Sequence, residues 1–483
     1  MSAAPVVAGW IPAFAGMTIW NSLSAPLGWR RVRRDPAAGL GDLEAALAGD
    51  DCPVCARTAG ADDRWLDHFL YEGYLEREVM RSVGRAGGFC AHHARRTEAM
   101  GSSATIALIY LALIRDCLPR LADRRDRRHR PVPLLAAPEA CEACAQAEEA
   151  ERRDCFFLAL LIGARGPRCY GKPAIVCMPH LACLVGYLDD ASIGAALSTH
   201  SGLTAALGSD LAGAFALDPE AAADRTMRVL LGPPRRTGRS LVELMRAQFA
   251  DDPDPVRRMR RRLRHLPGCA VCAEISEACD EWLGWLADAA EDEGDLSDVL
   301  PLCRDHVWQA RCAAGVALAP ALAAAVLREA EDRLAYAAAA REAGRGSALL
   351  PAAARRAFAG SAARNAVLES LRRGRECPLC RRAREAGERA VLLLAALLES
   401  AGGRRAFESG YGVCVRHAAL AMAMPNAPAL GEIVAATTYA RLALLRWELE
   451  EQLRRGAWQS RPQRRGAESA AWLKAGARFA GTA

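Results

Sequence analysis

Apolar residues along this chain recur at spacings of three and four, the pattern of helices that bury one face. It is plain at Trp65-Leu66 with Phe69-Leu70, at Phe156-Phe157 through Leu161, at Trp282-Leu283 with Trp285-Leu286, and at Val391 through Leu398. Two longer stripes, Ile106 to Leu121 and Ile433 to Leu453, predict longer amphipathic helices. Turn-rich stretches such as Gly84-Arg85-Ala86-Gly87-Gly88 and Ser409-Gly410-Tyr411-Gly412 separate the shorter elements. The stripes read as core, and the expected fold is all-α.

Composition agrees. Ala, Leu, Arg and Glu are abundant, while aromatic and β-branched residues are sparse, which favours helix because straight side chains lose little rotamer freedom there. The 483 residues are enough for two or more domains. The formal charge of +6 carries little information: lysine occurs only at Lys172 and Lys474, and an arginine bias of this kind also follows from a GC-rich coding sequence. Residues 1–29 hold neither Lys nor Arg, so a basic secretory leader is not expected. The stretch Gly9 to Thr18 resembles a peptide that arises when bacterial intergenic repeats are translated. Residues 1–38 are therefore set aside as disordered or mis-assigned. No run of 18 apolar residues predicts a membrane span. A reducing cytoplasm is the expected compartment, and there paired cysteines read as metal or redox sites.

The chain holds 18 cysteines, and their order supplies the organisation. The CxxC pairs are Cys52/Cys55, Cys141/Cys144, Cys269/Cys272 and Cys377/Cys380. The CxxH pairs are Cys90/His93, Cys177/His180, Cys303/His306 and Cys414/His417. The two kinds alternate strictly, with 34, 32, 30 and 33 residues between each CxxC and the CxxH that follows it. Chance would supply roughly one CxxC and less than one CxxH in such a chain. Four units are expected, at 39–135, 136–231, 240–348 and 349–455. A linker, 232–239, divides two similar halves, and a disordered tail follows from 456.

Three thiolates and one imidazole complete the tetrahedral shell that zinc prefers. If both motifs open helices, backbone N–H groups and the positive helix ends favour thiolate over thiol. The expectation is one Cys3His site per unit, each CxxC meeting the CxxH that succeeds it, with about four Zn2+ per chain. Four protein donors leave no position for water or substrate, which argues for a structural role. An iron–sulfur cluster is the alternative cofactor. Dithiol redox catalysis is disfavoured because it needs a βαβ context, and covalent haem is excluded because no His directly follows a CxxC.

Blander readings suit the rest. Cys117, Cys279 and Cys312 read as small core residues. Cys155, Cys169 and Cys183 gather in the second unit, where an exchangeable thiol is conceivable. His68, His129, His200 and His265 read as ordinary surface or boundary residues, and His92 lies off the repeat spacing. The basic runs at 124–130, 235–239, 257–265 and 372–375 read as solvated helix faces or linkers. They lack the interleaved aromatics of single-strand binders, which leaves nucleic acid a weak candidate. No nucleophile elbow, phosphate loop or paired-carboxylate site is visible.

Cys52-Pro53-Val54-Cys55 with Gly88-Phe89-Cys90-Ala91-His92-His93, and Cys377-Pro378-Leu379-Cys380 with Gly412-Val413-Cys414-Val415-Arg416-His417, resemble a bacterial protein family of unknown function. Its members pair CPLC-like and GFCxxH-like motifs in about half this length. The resemblance implies a tandem duplication, with residues 40–231 and 240–457 each matching one two-unit protein. The second and third units depart from it, lacking the Pro in CxxC and the Gly before CxxH. The resemblance brings no activity. The expected role is a non-catalytic cytoplasmic scaffold binding another protein through helical surfaces. A thiol-based redox or zinc sensor is the runner-up, ahead of an enzyme or a nucleic-acid binder using one altered unit.

Overall fold

The computed structural model describes residues 51–126, 141–165, 176–214, 218–233, 252–291, 302–345, 352–372, 376–424, 428–457 and 466–481, together with Leu43, Ala46, Leu47 and Gly49. Residues 1–38, Cys169, His129 and the basic run 235–239 lie outside the described residues. Among the described residues there are eighteen α-helices and no strand. In chain order they are α1 Pro53–Thr58, α2 Ala61–Tyr71, α3 Arg77–Arg85, α4 Ala91–Met100, α5 Ser103–Asp126, α6 Glu142–Arg165, α7 Met178–Val185, α8 Asp190–Ala214 and α9 Pro219–Leu231. The second half contributes α10 Pro255–His265, α11 Ala270–Glu291, α12 Arg304–Arg345, α13 Ala352–Arg372, α14 Pro378–Glu399, α15 Ala401–Ser409, α16 Val415–Met422, α17 Pro428–Gly456 and α18 Ala471–Ala480. The all-α expectation holds.

Helix starts follow local chemistry. Pro53 and Pro378 occupy the first turn of α1 and α14, where a missing N–H costs nothing. Asp254 caps α10 by accepting from the Val256 and Arg257 amides, and Ser400 caps α15 through the Gly403 amide. Each of the eight cysteine motifs has its first cysteine immediately before the first residue of a helix.

The chain forms two compact units built from interleaved segments, not from the four expected units taken in turn. The first comprises Met1–Gly60, Glu148–Pro233 and Ala323–Gly374. Its core includes Leu158, Ile162, Leu181, Leu184, Ile193, Met227 and Leu230. Helix α7 packs on α13, and α8 on α9. His200, expected near the surface, is fully buried on α8, with Nε2 2.8 Å from the Val176 carbonyl oxygen. Burial lowers its pKa, and the contact fixes the backbone just ahead of Cys177.

The second unit comprises Ala61–Ala147, Pro234–Leu322 and Arg375–Ala483. The two long stripes read from the sequence lie in α5 and α17, which pack along each other. Helix α11 packs on α14, while α10 lies against α14 and α15. The basic run 257–265 is α10, and it is not simply a solvated face. Arg262 is fully buried and pairs with Glu274 and Glu277 on α11. A buried guanidinium demands such partners. Cys117 and Cys279 are buried as expected, but Cys312 is exposed on α12.

The tail differs from expectation. Residues 458–465 are outside the described set, but 466–481 form a short 3-10 turn and then α18. Ala471, Ala475 and Phe479 are buried at helical spacing against α4, α5, α16 and α17. The Phe479 ring lies 5.5 Å from that of Tyr110. Arg478 donates to the Tyr411 and Val413 carbonyls and stacks 3.6 Å over the Tyr411 ring. The arginine- and glycine-rich approach obscures this stripe in the sequence.

Gly476 faces Glu98 where α18 packs on α4: a Cβ there would require the Glu98 carboxylate to shift. Burial of Glu98 raises its pKa from 4.5 to about 7. The folded state therefore binds the proton more tightly than the unfolded chain, so its contribution is full below pH 4.5 and is lost as pH rises through about 7. Amide-exchange protection of α18 is expected to weaken across that window, and Glu98→Gln to flatten the dependence. An α18 equally protected at both ends in the native chain would contradict this.

Candidate metal centres

All sixteen cysteines and histidines of the repeated motifs gather into four groups, each with three sulfurs and one imidazole. The pairing is not the expected one. No CxxC meets the CxxH that succeeds it. In the first half Cys52 and Cys55 meet Cys177 and His180 (site A), while Cys90 and His93 meet Cys141 and Cys144 (site B). In the second half Cys269 and Cys272 meet Cys414 and His417 (site C), while Cys303 and His306 meet Cys377 and Cys380 (site D). The outer motifs of each half join around the inner ones, and the same nesting occurs twice. Every site closes within one half, as two similar halves require. Site A belongs to the first compact unit; sites B, C and D belong to the second.

Each site joins the N-termini of two helices. The first cysteine of each motif precedes the helix, and its second donor lies in the first turn. Cys90 and Cys269 also accept from the amides of their partner donors, His93 and Cys272, at 3.5 Å. Free amides and the helix dipole stabilise thiolate there. The Gly at the approach to two CxxH motifs is explained by backbone conformation: Gly88 has φ 92° and Gly412 φ 77°, the left-handed region.

The donor atoms fit a tetrahedral ion. Metal–ligand lengths typical of zinc give tetrahedron edges of about 3.8 Å between sulfurs and about 3.6 Å between sulfur and nitrogen. One sulfur pair in each site stands at 3.7 Å (Cys55–Cys177), 3.9 Å (Cys90–Cys144), 3.9 Å (Cys272–Cys414) and 3.8 Å (Cys303–Cys380). Every histidine presents Nδ1. Its sulfur distances run from 3.2 Å, for Cys177 to His180, to 3.6 Å, for Cys141 to His93. Among the described residues, every cysteine is free of disulfide.

The electrostatics divide the thiols of each site: Cys177, Cys144, Cys272 and Cys303 are held above the usual thiol range by burial and by their sulfur neighbours, and one partner in each site is held below it. Hydrogen bonds from Cys141 and Cys144 do this for Cys90, and one from Cys303 lowers Cys377 to about 3. Hydrogen bonds from Cys269 and Cys272 act on Cys414; in Cys52 burial opposes the shift, but bonds from Cys177 and Cys55 prevail. Burial also works against charge on His93, yet Asp62 and Cys141 push it up to about 11. His180 is raised to about 9 against burial, through Cys55 and Glu151.

Residues outside the motifs complete the sites, and the motif reading missed them. Asp62 Oδ2 accepts from His93 Nε2 at 3.1 Å and from Arg96 at 2.8 Å, orienting the ring so that Nδ1 faces site B. Glu151 stands 3.6 Å from His180 Nε2 in site A. Both carboxylates lie ten residues after the first cysteine of a CxxC, a signal present in the sequence; the later copies have Cys279 and Gly387 there. Over site C the last helix closes: a Cβ at Gly481, φ 79°, would stand 2.9 Å from Cys272 Sγ. His92 lies beside Asp62 and His93 but takes no part in the four groups.

Exposure separates the sites. All four donors of site A are buried, whereas in site D Cys380 is exposed and Cys303 and His306 are half-buried.

No family model matches the chain, and no solved structure matches it significantly. One stretch of 66 residues is 38% identical to an uncharacterized 23.9 kDa protein in the xynA 3' region of Caldicellulosiruptor sp. (strain Rt8B.4). It covers 14% of this chain and 32% of that protein.

The nesting makes a direct expectation. Cys177→Ser should cost one metal ion and raise amide exchange in α1, where Cys52 and Cys55 sit, leaving the start of α6 protected. Pairing of neighbours would instead expose the start of α6. Asp62→Asn should speed chelator extraction of one ion of the set about 10- to 100-fold; four unchanged release phases would remove Asp62 from any such role.

Proposed function

We propose that the protein is a non-catalytic, zinc-bound helical scaffold that presents its surfaces to another protein. The observation that carries this reading is the closed donor set: three sulfurs and one nitrogen converge in every group, leaving no position for water or substrate. Zinc suits a tetrahedral shell of three thiolates and one imidazole, and thiolates left unoxidised fit a reducing cytoplasm. Among the described residues no helix is long and apolar enough to cross a membrane. The surface retains contact-forming side chains: Tyr71 is 82% exposed, Leu75 71%, and Leu444 and Trp447, three residues apart on α17, 58% and 59%.

The same reading treats the chain as a tandem duplication of a half-length, two-site protein of the family its motifs resemble. The nesting repeats, each donor group closes within one half, and the similar 23.9 kDa protein has about half this chain's 51.8 kDa.

The second reading, a thiol-based redox or zinc sensor, is favoured by site D, whose exposed Cys380 offers oxidants a way in. An enzyme or a nucleic-acid binder built on one altered unit ranks below both.

Elemental analysis of the full chain, purified without added metal, is expected to give about four zinc ions per molecule, one for each closed site. Iron with visible absorption would instead support the cluster alternative. Peroxide treatment then separates the readings: zinc retained with helicity intact supports the scaffold, while zinc release with unfolding supports the sensor.

A further inference from the structure

Two cysteines outside the four donor sets stand together. Cys155, on α6, is fully buried, and Cys183, on α7, is partly exposed. Cys155 Sγ lies 3.8 Å from the carbonyl oxygen of His180, a donor of site A and one helical turn ahead of Cys183 on α7. Tyr187, four residues after Cys183, packs edge-on against Phe156, the residue after Cys155, with ring centroids 5.6 Å apart.

The repeat shows what is unusual here. Cys155 lies fourteen residues after the first cysteine of its CxxC; the other copies have Leu66, Leu283 and Val391 at that offset, all buried apolar side chains. Cys183 lies three residues after its CxxH histidine, where the other copies have Arg96, Gln309 and Leu420. The second unit alone has a core residue and its neighbour near the surface both replaced by thiols, at two positions the fold brings together.

We propose that Cys155 and Cys183 are an oxidative modification site: a dithiol that small hydroperoxides convert to an intramolecular disulfide while the donors of site A stay reduced. Cys183, the accessible sulfur, attacks the peroxide O–O bond, which breaks; one oxygen remains on sulfur as sulfenic acid and the other leaves as water or alcohol. The Cys155 sulfur then attacks the sulfenic sulfur, the S–S bond forms, and water leaves with the Cys155 proton. Two thiols lose two electrons and two protons, and one peroxide is reduced. The burial contrast sets the order, with the partly exposed sulfur reacting first and the buried one resolving it. Site A donors are buried and, when metal-bound, have their sulfur lone pairs engaged.

The test uses the metal-loaded full chain, treated with hydrogen peroxide at stoichiometric dose and digested without reductant. A cross-linked peptide pair joining Cys155 to Cys183, about 2 Da lighter than the sum of its reduced halves, is expected. It should form before any disulfide that includes Cys52, Cys55 or Cys177. Cys155→Ala is expected to trap Cys183 as a sulfenic acid that a dimedone probe labels, and Cys183→Ser to abolish the cross-link. A first disulfide on a site A donor overturns the proposal, as does Cys183 oxidised in the native chain without cross-linking. These readouts on the native chain decide the matter even where a variant does not fold.

Discussion

Everything in this fold depends on joining pairs of helix N-termini through clustered sulfur and imidazole donors. Each motif opens a helix, so each site brings two helix starts to one point and two positive helix ends onto its thiolates. In metal-dependent small domains such a link contributes apparent free energies of about 10–16 kcal/mol, comparable to a whole domain's net stability. The nested pairing spreads that cross-link over long stretches of chain: Cys55 and Cys177 are 122 residues apart, and Cys272 and Cys414 are 142. A segment with its own modest apolar stripe is thereby held by partners it does not neighbour in sequence. Site A thereby joins Cys52 and Cys55 to the Glu148–Pro233 segment within one compact unit, although Ala61–Ala147, between them in the chain, belongs to the other.

Around equal donor sets, the surroundings differ from site to site. Site A is sheathed in core, and Glu151 backs its histidine. Site B has a carboxylate partner in Asp62. Site C is covered by the end of α18, where Gly481, just past the helix, takes a left-handed φ and a Cβ would crowd Cys272 Sγ. Among the described residues site D has no comparable cover, and Cys380 is exposed. Shielding, hydrogen bonds to the ligands and desolvation govern how tightly a site keeps its ion. Four sites with one donor chemistry therefore differ in shielding, and the most exposed of them lies in the second half.

Helix content, donor identity and the two long stripes are legible in the sequence because each is written locally, in periodicity or in a four-residue motif. The pairing is not. Closing a loop of 122 rather than about 35 residues costs only about 1 kcal/mol more, since closure entropy grows with the logarithm of length. Beside a metal link worth roughly ten times that, separation along the chain says almost nothing about which motifs meet. The tail escapes the sequence for a related reason. Ala471, Ala475 and Phe479 form a short stripe that gains its energy from α4, α5, α16 and α17, none of them visible from within the segment. Arg262 likewise reads as part of a charged face until Glu274 and Glu277 are placed beside it.

The copies differ most at positions just outside the donor sets. Ten residues after the first cysteine stand Asp62, Glu151, Cys279 and Gly387; three after the histidine stand Arg96, Cys183, Gln309 and Leu420. Cross-links of this strength relieve adjacent positions of the need to hold the fold together, so the side chains there answer to local demands. At one site that demand is a hydrogen bond to an imidazole, which Asp62 meets. In the copy carrying Cys155 and Cys183 the same freedom admits two neighbouring thiols that lie outside the donor sets. A buried thiol fills a leucine position less completely, and the disulfide chemistry proposed for the pair would give that substitution a use.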